Sequence, residues 1–295
     1  MNYDIRLELE YLYRPPAAGG RHLVRVAPMT AAGGQRVIAA SIVFDPAPVE
    51  RTDGRDFFGN PVVATAYRHT HARLRVGMSA RVHVDAPTAM LDVSPDLPML
   101  GRELVAVRSL APESPHHFAT RSPRVPLDSE VTAYAHESLA RASTVQEIVR
   151  DLGERIHREF RYDSESTEVE TSPREAFELK RGVCQDFSHV MIAGLRGIGI
   201  PAAYVSGFLR TIPPADAERL EGADAMHAWV RAWCGRQAGW VGYDPTNAVF
   251  AGESHIVAAI GRDYQDVAPI AGILRTSGTQ RTSHKVDVVP VGLPG

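Results

Sequence analysis

One cysteine in this 295-residue chain stands where a thiol would be reactive. The run is Arg181-Gly182-Val183-Cys184-Gln185-Asp186-Phe187-Ser188-His189. Gly182 suits a turn into a helix. An apolar stripe of Phe187, Val190, Met191, Leu195 and Ile198 follows, stopped by Gly199 and Pro201. Cys184 therefore falls in or just before the first helical turn, among free N–H groups and the positive end of the helix dipole. That position favours the thiolate, which is the nucleophilic form, and the same N–H groups can hold an oxyanion. A base and its partner are also legible. Met226 to Trp233 reads as a strand with His227, Trp229, Arg231 and Trp233 on one face. Gly235 and Gly239 bracket a short loop, and Trp240 to Thr246 runs back. Pairing about that loop sets Asp244 across from about Trp229, near enough to His227 for a carboxylate to accept from an imidazole N–H. Cys184, His227 and Asp244 are thus expected as nucleophile, base and orienter of a catalytic triad.

Other residues in these runs admit two readings. Gln185 can donate to an oxyanion or face solvent on the first turn. Asp186 can simply favour the positive helix end. Trp229 and Trp240 can line an acyl pocket or pack a core. His189 points to a different helical face from Cys184 and reads as structural. Cys234 ends a strand beside Gly235, away from any helix start, and reads as a small buried hydrophobe. With no Cys-x-x-Cys or His-x-x-x-His pair, no zinc site is expected. No other metal and no cofactor is expected either.

The elements that must position these residues come in two blocks. Tyr3, Ile5, Leu7, Leu9 and Tyr11 alternate with Asp4, Arg6, Glu8 and Glu10, which predicts a strand with one buried face. Leu23 to Val26 and Val37 to Phe44 predict further strands. So does the alternation of Leu74, Val76, Met78, Ala80, Val82 and Val84 with polar residues. Residues 1–90 are therefore expected as a β-sandwich-like domain. Residues 91–126 are proline-rich and without period, and read as a connection over the surface. Residues 127–295 are expected as the catalytic domain. Asp128 caps a helix to about Ala142. Thr144 and Glu147 form a capping box ahead of a stripe of Val145, Ile148, Val149, Leu152, Ile156 and Phe160. A short helix is predicted near Pro173 to Lys180. Strands follow at Ala202 to Leu209, Met226 to Cys234, Gly239 to Asp244, near His255 to Ile260, and Lys285 to Val291. The fold class is α+β, with helices on an antiparallel sheet.

Composition narrows the function. Hydrophobic residues are 44% and charged residues 23%, the usage of an ordinary folded protein rather than a disordered one. A net charge of −3 implies no basic face for nucleic acid. No apolar run is long enough to span a membrane, and the N-terminal residues do not read as a secretory signal. Two cysteines make no disulfide framework, which points to a reducing cytoplasm.

At these residues the chain resembles the transglutaminase-like superfamily of cysteine enzymes, related in fold to papain-type proteases. Gly182 to Phe187 with Ile198 to Ala202 match the family's cysteine helix and following strand. His227-Ala228-Trp229 and Gly242 to Asn247 match its histidine and aspartate motifs. Gly261 to Pro269, with Asp56-Phe57-Phe58-Gly59-Asn60 in the first block, are similar to a bacterial subgroup that carries an N-terminal β domain. The resemblance implies attack of Cys184 on a carboxamide or peptide carbonyl, with His227 as base and acid and Asp244 as orienter. The partner is then a peptide or protein substrate, and the enzyme a protease, amidase or transglutaminase. It places Asp263 and Tyr264 near the site. The alternative is a non-catalytic peptide-binding or scaffold protein that keeps the fold. An acyl-CoA-dependent transferase is a third reading, for which no residue here resembles a CoA site.

Overall fold

The structure, a computed structural model, describes residues 1–31, 33–86, 91–210, 224–276 and 278–292. The alternating N-terminal segment is strand β1 (Asn2–Ala17), with Tyr3, Ile5, Leu7 and Leu9 buried and Arg6 and Glu8 exposed. It is followed by β2 (Gly20–Val24), β3 (Gln35–Asp45), β4 (Glu50–Arg55), β5 (Pro61–Tyr67) and β6 (His71–Val84). β6 lies antiparallel to β1 and turns Leu74, Val76, Met78 and Val82 inward beside it. The expected two-faced strands are thus present, in two four-stranded antiparallel sheets that share one apolar core.

The second block starts earlier than the helical periodicity suggests. Segment 91–126 is not a bare surface connection. Asp96 accepts from the Met99 N–H and caps helix α1 (Leu97–Ala106), whose Leu100 is fully buried. Phe118 and Val125 are buried too, and Leu100 and Val125 sit in the core of the second block. The prolines hid this, because one of them occupies the first turn of α1, where a missing N–H costs nothing.

Helices α2 (Ser129–His136), α3 (Val145–Glu159), α4 (Pro173–Leu179) and α5 (Cys184–Gly197) come next. The Thr144–Glu147 capping box is formed as the sequence predicts. A two-residue parallel pair, β7 (Arg161–Tyr162) with β8 (Arg181–Gly182), ties the end of α3 to the start of α5. The remaining strands are β9 (Ala202–Leu209), β10 (Ala225–Trp233), β11 (Trp240–Asp244), β12 (Val249–Phe250) and β13 (His255–Gly261). They form one antiparallel sheet in the order β12-β11-β10-β9-β13. Helix α5 is buried along most of its length, and its Phe187, Val190, Met191 and Leu195 pack in one cluster with Ala228, Val230 and Ala232 of β10. No helix among the described residues is long and apolar enough to cross a membrane.

The C-terminal strands correct the expected division of the chain. β14 (Ile270–Leu274) pairs with β2, and β15 (Thr279–Val291) pairs with β1 along nearly its whole length. Residues beyond 269 therefore complete the N-terminal sheets rather than extend a catalytic domain over 127–295. Alternation in β1 states that one face is buried. It carries no information on which strands stand at its two edges, since edge hydrogen bonds are made by the backbone. The cores also touch: Phe208 and Ile256 of the second sheet are buried in the N-terminal cluster.

Candidate active site

Helix α5 begins at Cys184 because the chain is turned sharply just before it. Gly182 has φ +153°, and a Cβ there would lie 2.5 Å from Asp186 Oδ2. Asp186 accepts from the Val183 N–H at 2.8 Å and from Thr167 Oγ1 at 2.7 Å, so its carboxylate fastens the entry to the helix. Burial raises its pKa against the pull of those two bonds. The N–H groups of Cys184 and Gln185 have no acceptor among the described residues. They are the free donors that the first turn must leave. Cys184 itself is partly exposed.

The β10–β11 pairing has the register read from the sequence, with Val230 opposite Tyr243. The next position sets Asp244 beside Trp229, and His227 Nε2 donates to Asp244 Oδ2 at 2.7 Å. The Cys184 side chain lies close enough to the same imidazole to raise its pKa. Burial works against charge on His227, yet the bond to Asp244 and the nearness of Cys184 prevail and raise its pKa to about 10. Burial likewise opposes the Asp244 carboxylate, and the bonds from His227 and His255 overcome it and push its pKa well below the usual carboxylate range. The raised pKa favours the imidazolium form, with the Asp244 carboxylate bonded to the ring and the Cys184 sulfur near it. The three residues singled out by spacing are brought together.

The remaining expectations divide. Gln185 Nε2 donates to Val169 O at 3.0 Å, which turns its amide toward the 169 loop. Trp229 is 1% exposed and stacks on His227 with ring centroids 6.2 Å apart. Its indole lies over Gly207, where a Cβ would meet it at 2.6 Å. His189 accepts from the Tyr264 N–H and is buried neutral, its pKa lowered to about 3 by burial and by Arg124 and Arg196. Asp263 accepts from the Arg124 and Gln265 N–H groups and caps a short turn. Cys234 is buried, which raises its pKa to about 12.

One residue of the cluster escaped the sequence. His255, at the start of β13, donates from Nε2 to Asp244 Oδ2 at 3.2 Å. The Gly252 N–H donates to its Nδ1 at 3.2 Å, which fixes the proton on Nε2. Asn247 Nδ2 adds a bond to the same carboxylate oxygen at 2.7 Å, and the Thr246 N–H meets Oδ1 at 2.9 Å. A histidine at a strand start carries no spacing signal. Only the folding of the 251–254 loop against Gly242 brings it to Asp244. Tyr204 of β9 also lies close enough to Cys184 to feel its charge.

Residues 132–245 match the transglutaminase-like superfamily, and residues 3–83 match the bacterial transglutaminase-like N-terminal region. An uncharacterized protein of Mycobacterium tuberculosis, Rv2569c, is 37% identical over 268 residues, which span 87% of this chain and 82% of that one. An uncharacterized Mycobacterium leprae protein, ML0607, is 47% identical over 116 residues, 38% of this chain and 39% of its own. Among solved structures, a candidate cysteine protease from Cytophaga hutchinsonii superposes with a TM-score of 0.75 at 19% identity, over 99% of this chain and 92% of that chain. That likeness is one of fold, and it extends over both blocks. By its core, its N-terminal region and its mycobacterial relatives, the chain belongs to the transglutaminase-like superfamily.

Proposed function

We propose that the chain is a thiol-dependent acyl-transfer enzyme acting on carboxamide or peptide bonds. The observation that carries this reading is an imidazole bonded to a buried carboxylate and set beside the cysteine that opens a helix. Cys184 Sγ attacks the carbonyl carbon, and the electron pair moves to oxygen. The N–H groups of Cys184 and Gln185 receive the oxyanion, each worth about 2.7–4 kcal/mol where such donors have been removed in other enzymes. His227 gives its proton to the departing nitrogen, which leaves as ammonia or an amine, and a thioester remains on Cys184. His227 then takes a proton from water or from a second amine as that nucleophile attacks the thioester, and the C–S bond breaks to return the Cys184 sulfur and release the acyl product. Asp244 holds the ring and its charge throughout. Water as acceptor makes the enzyme a protease or amidase, and an amine makes it a transglutaminase. Two free cysteines fit a cytoplasmic setting.

The test is alkylation followed by turnover. Iodoacetamide is expected to label Cys184 faster than an ordinary exposed thiol, and His227→Ala is expected to abolish that advantage. Cys234, buried and with its pKa raised to about 12, stays unlabelled in the folded chain. A screen on peptide and glutamine-amide libraries reads ammonia release and amine incorporation together, with Cys184→Ala as control. An ordinary labelling rate at Cys184, unchanged in His227→Ala, would point instead to a non-catalytic scaffold.

A further inference from the structure

β13, which His255 opens, is the outermost strand of the sheet that carries His227 and Asp244. Its inner side pairs with β9. Among the described residues no strand pairs with its outer side. That side is closed instead by two side-chain amides of the N-terminal block. Gln35 Nε2 donates to Val257 O at 2.7 Å, and the Val257 N–H donates back to Gln35 Oε1 at 2.7 Å. Asn60 Nδ2 donates to Ile260 O at 2.8 Å, and the Ile260 N–H donates back to Asn60 Oδ1 at 2.8 Å. A carboxamide offers the same C=O and N–H as a peptide unit. Each amide therefore meets both backbone groups of one residue, as a neighbouring strand would.

Neither amide is free to turn away. Both residues are buried. Gln35 Nε2 also donates to Met29 O at 2.6 Å, and Asn60 Nδ2 to Asp56 Oδ2 at 3.0 Å. Asp56 is held by Arg25 at 2.9 Å and accepts from the Phe58 and Asn60 N–H groups. Reversing either amide would set oxygen against oxygen and N–H against N–H, a costly mismatch away from water. The run from Asp56 to Asn60 thus builds a clamp for β13.

What the clamp holds in place is His255. Its bond to Asp244 Oδ2 is 3.2 Å long, against 2.7 Å for the bonds from His227 and Asn247 to the same oxygen. That is the long end of the N–H···O range, so a small slip of β13 breaks it. The other ring nitrogen accepts from Gly252, in the loop that leads into β13, so the ring moves with the strand. We propose that Gln35 and Asn60 are positioning residues of the candidate active site, whose carboxamides stand in for a strand beside β13 and thereby keep His255 on Asp244. The N-terminal block then takes part in orienting the triad. This deepens the acyl-transfer reading and rests on it only where thiol reactivity is measured.

The test uses the full chain labelled with nitrogen-15 histidine. Gln35→Met keeps the shape of the side chain and removes its amide. With its fold checked by near-UV circular dichroism, it is expected to lose the His255 Nε2–H resonance to exchange with water. Iodoacetamide labelling of Cys184 is expected to slow by about tenfold, the worth of one hydrogen bond to a charged group. In a His255→Ala background the same substitution is expected to slow labelling no further, because both changes act through one contact. Asn60→Leu is expected to do the same from the other end of the clamp. Folded variants that melt earlier but keep the His255 resonance and the labelling rate overturn the proposal, since the amides would then only join the two blocks. An additive slowing in the His255→Ala background overturns it too. Where neither variant folds, amide exchange in the unsubstituted chain decides. The Val257 and Ile260 N–H groups are expected to exchange as slowly as those of β9, and the fast exchange of an open strand edge overturns the clamp. The His255 resonance is read without Cys184, so a failure of the thiol chemistry leaves that result standing.

Discussion

Asp244 is surrounded by donors: two imidazoles, the Asn247 amide and two backbone N–H groups. Each fixes the carboxylate a little more firmly, and the orientation of His227 depends on that carboxylate. His255→Ala removes one hydrogen bond to a charged group, a loss of about 1.5–3 kcal/mol. It is expected to lower the urea midpoint with the slope unchanged, and to slow alkylation of Cys184. Protonation gives a second handle. The pKa of His227 is raised from 6.5 to about 10, so its contribution to stability is complete below pH 6.5 and is lost as the pH climbs toward 10. The Asp244 pKa is depressed below 3.8, so its contribution is complete above 3.8 and is lost as the pH falls through the depressed value. The melting temperature is expected to hold between those limits and fall on either side, and Asp244→Asn is expected to flatten both limbs.

At the scale of elements, two glycines set how closely helices approach their neighbours. Gly182 is the hinge into α5, and a methyl group there would strike the carboxylate that fastens the helix start. With its positive φ as well, Gly182→Ala is expected to cost about 1–3 kcal/mol and to blunt thiol reactivity, read by unfolding and by iodoacetamide rate. Gly153 of α3 faces Tyr243 of β11, and a Cβ there would lie 2.0 Å from the ring. Gly153→Ala overpacks this contact and is expected to cost about 1–3 kcal/mol in a denaturant titration. Because Tyr243 adjoins Asp244 on the strand, the same variant is expected to lower the rate of Cys184 labelling.

Over the whole molecule, the two blocks are joined by burial as well as by the chain. Phe208 is on the central sheet, next to β10, yet its ring is buried in the N-terminal core with Ile256. Strands from the C-terminus close the sheets that the N-terminus begins. Phe208→Ala is expected to cost about 3–5 kcal/mol. Calorimetry is expected to show one transition that moves as a unit, rather than one domain melting and the other staying put. Two separate transitions would contradict this coupling.

Local order was legible in the residues themselves. The strand alternation of β1 and β6, the capping box of α3, the helix that opens at Cys184 and the register that sets Asp244 near His227 all follow from neighbours in sequence, because period, caps and hairpin pairing are short-range properties. What lay beyond reach was long-range. α1 was masked by the proline in its first turn, and β15 was a polar edge strand whose partner is chosen by backbone hydrogen bonds. His255 meets Asp244 only after a loop crosses the sheet. Sequence determined which residues could react. The tertiary fold decided which of them are desolvated, paired or left waiting, since solvent exclusion depends on every element that closes over a site.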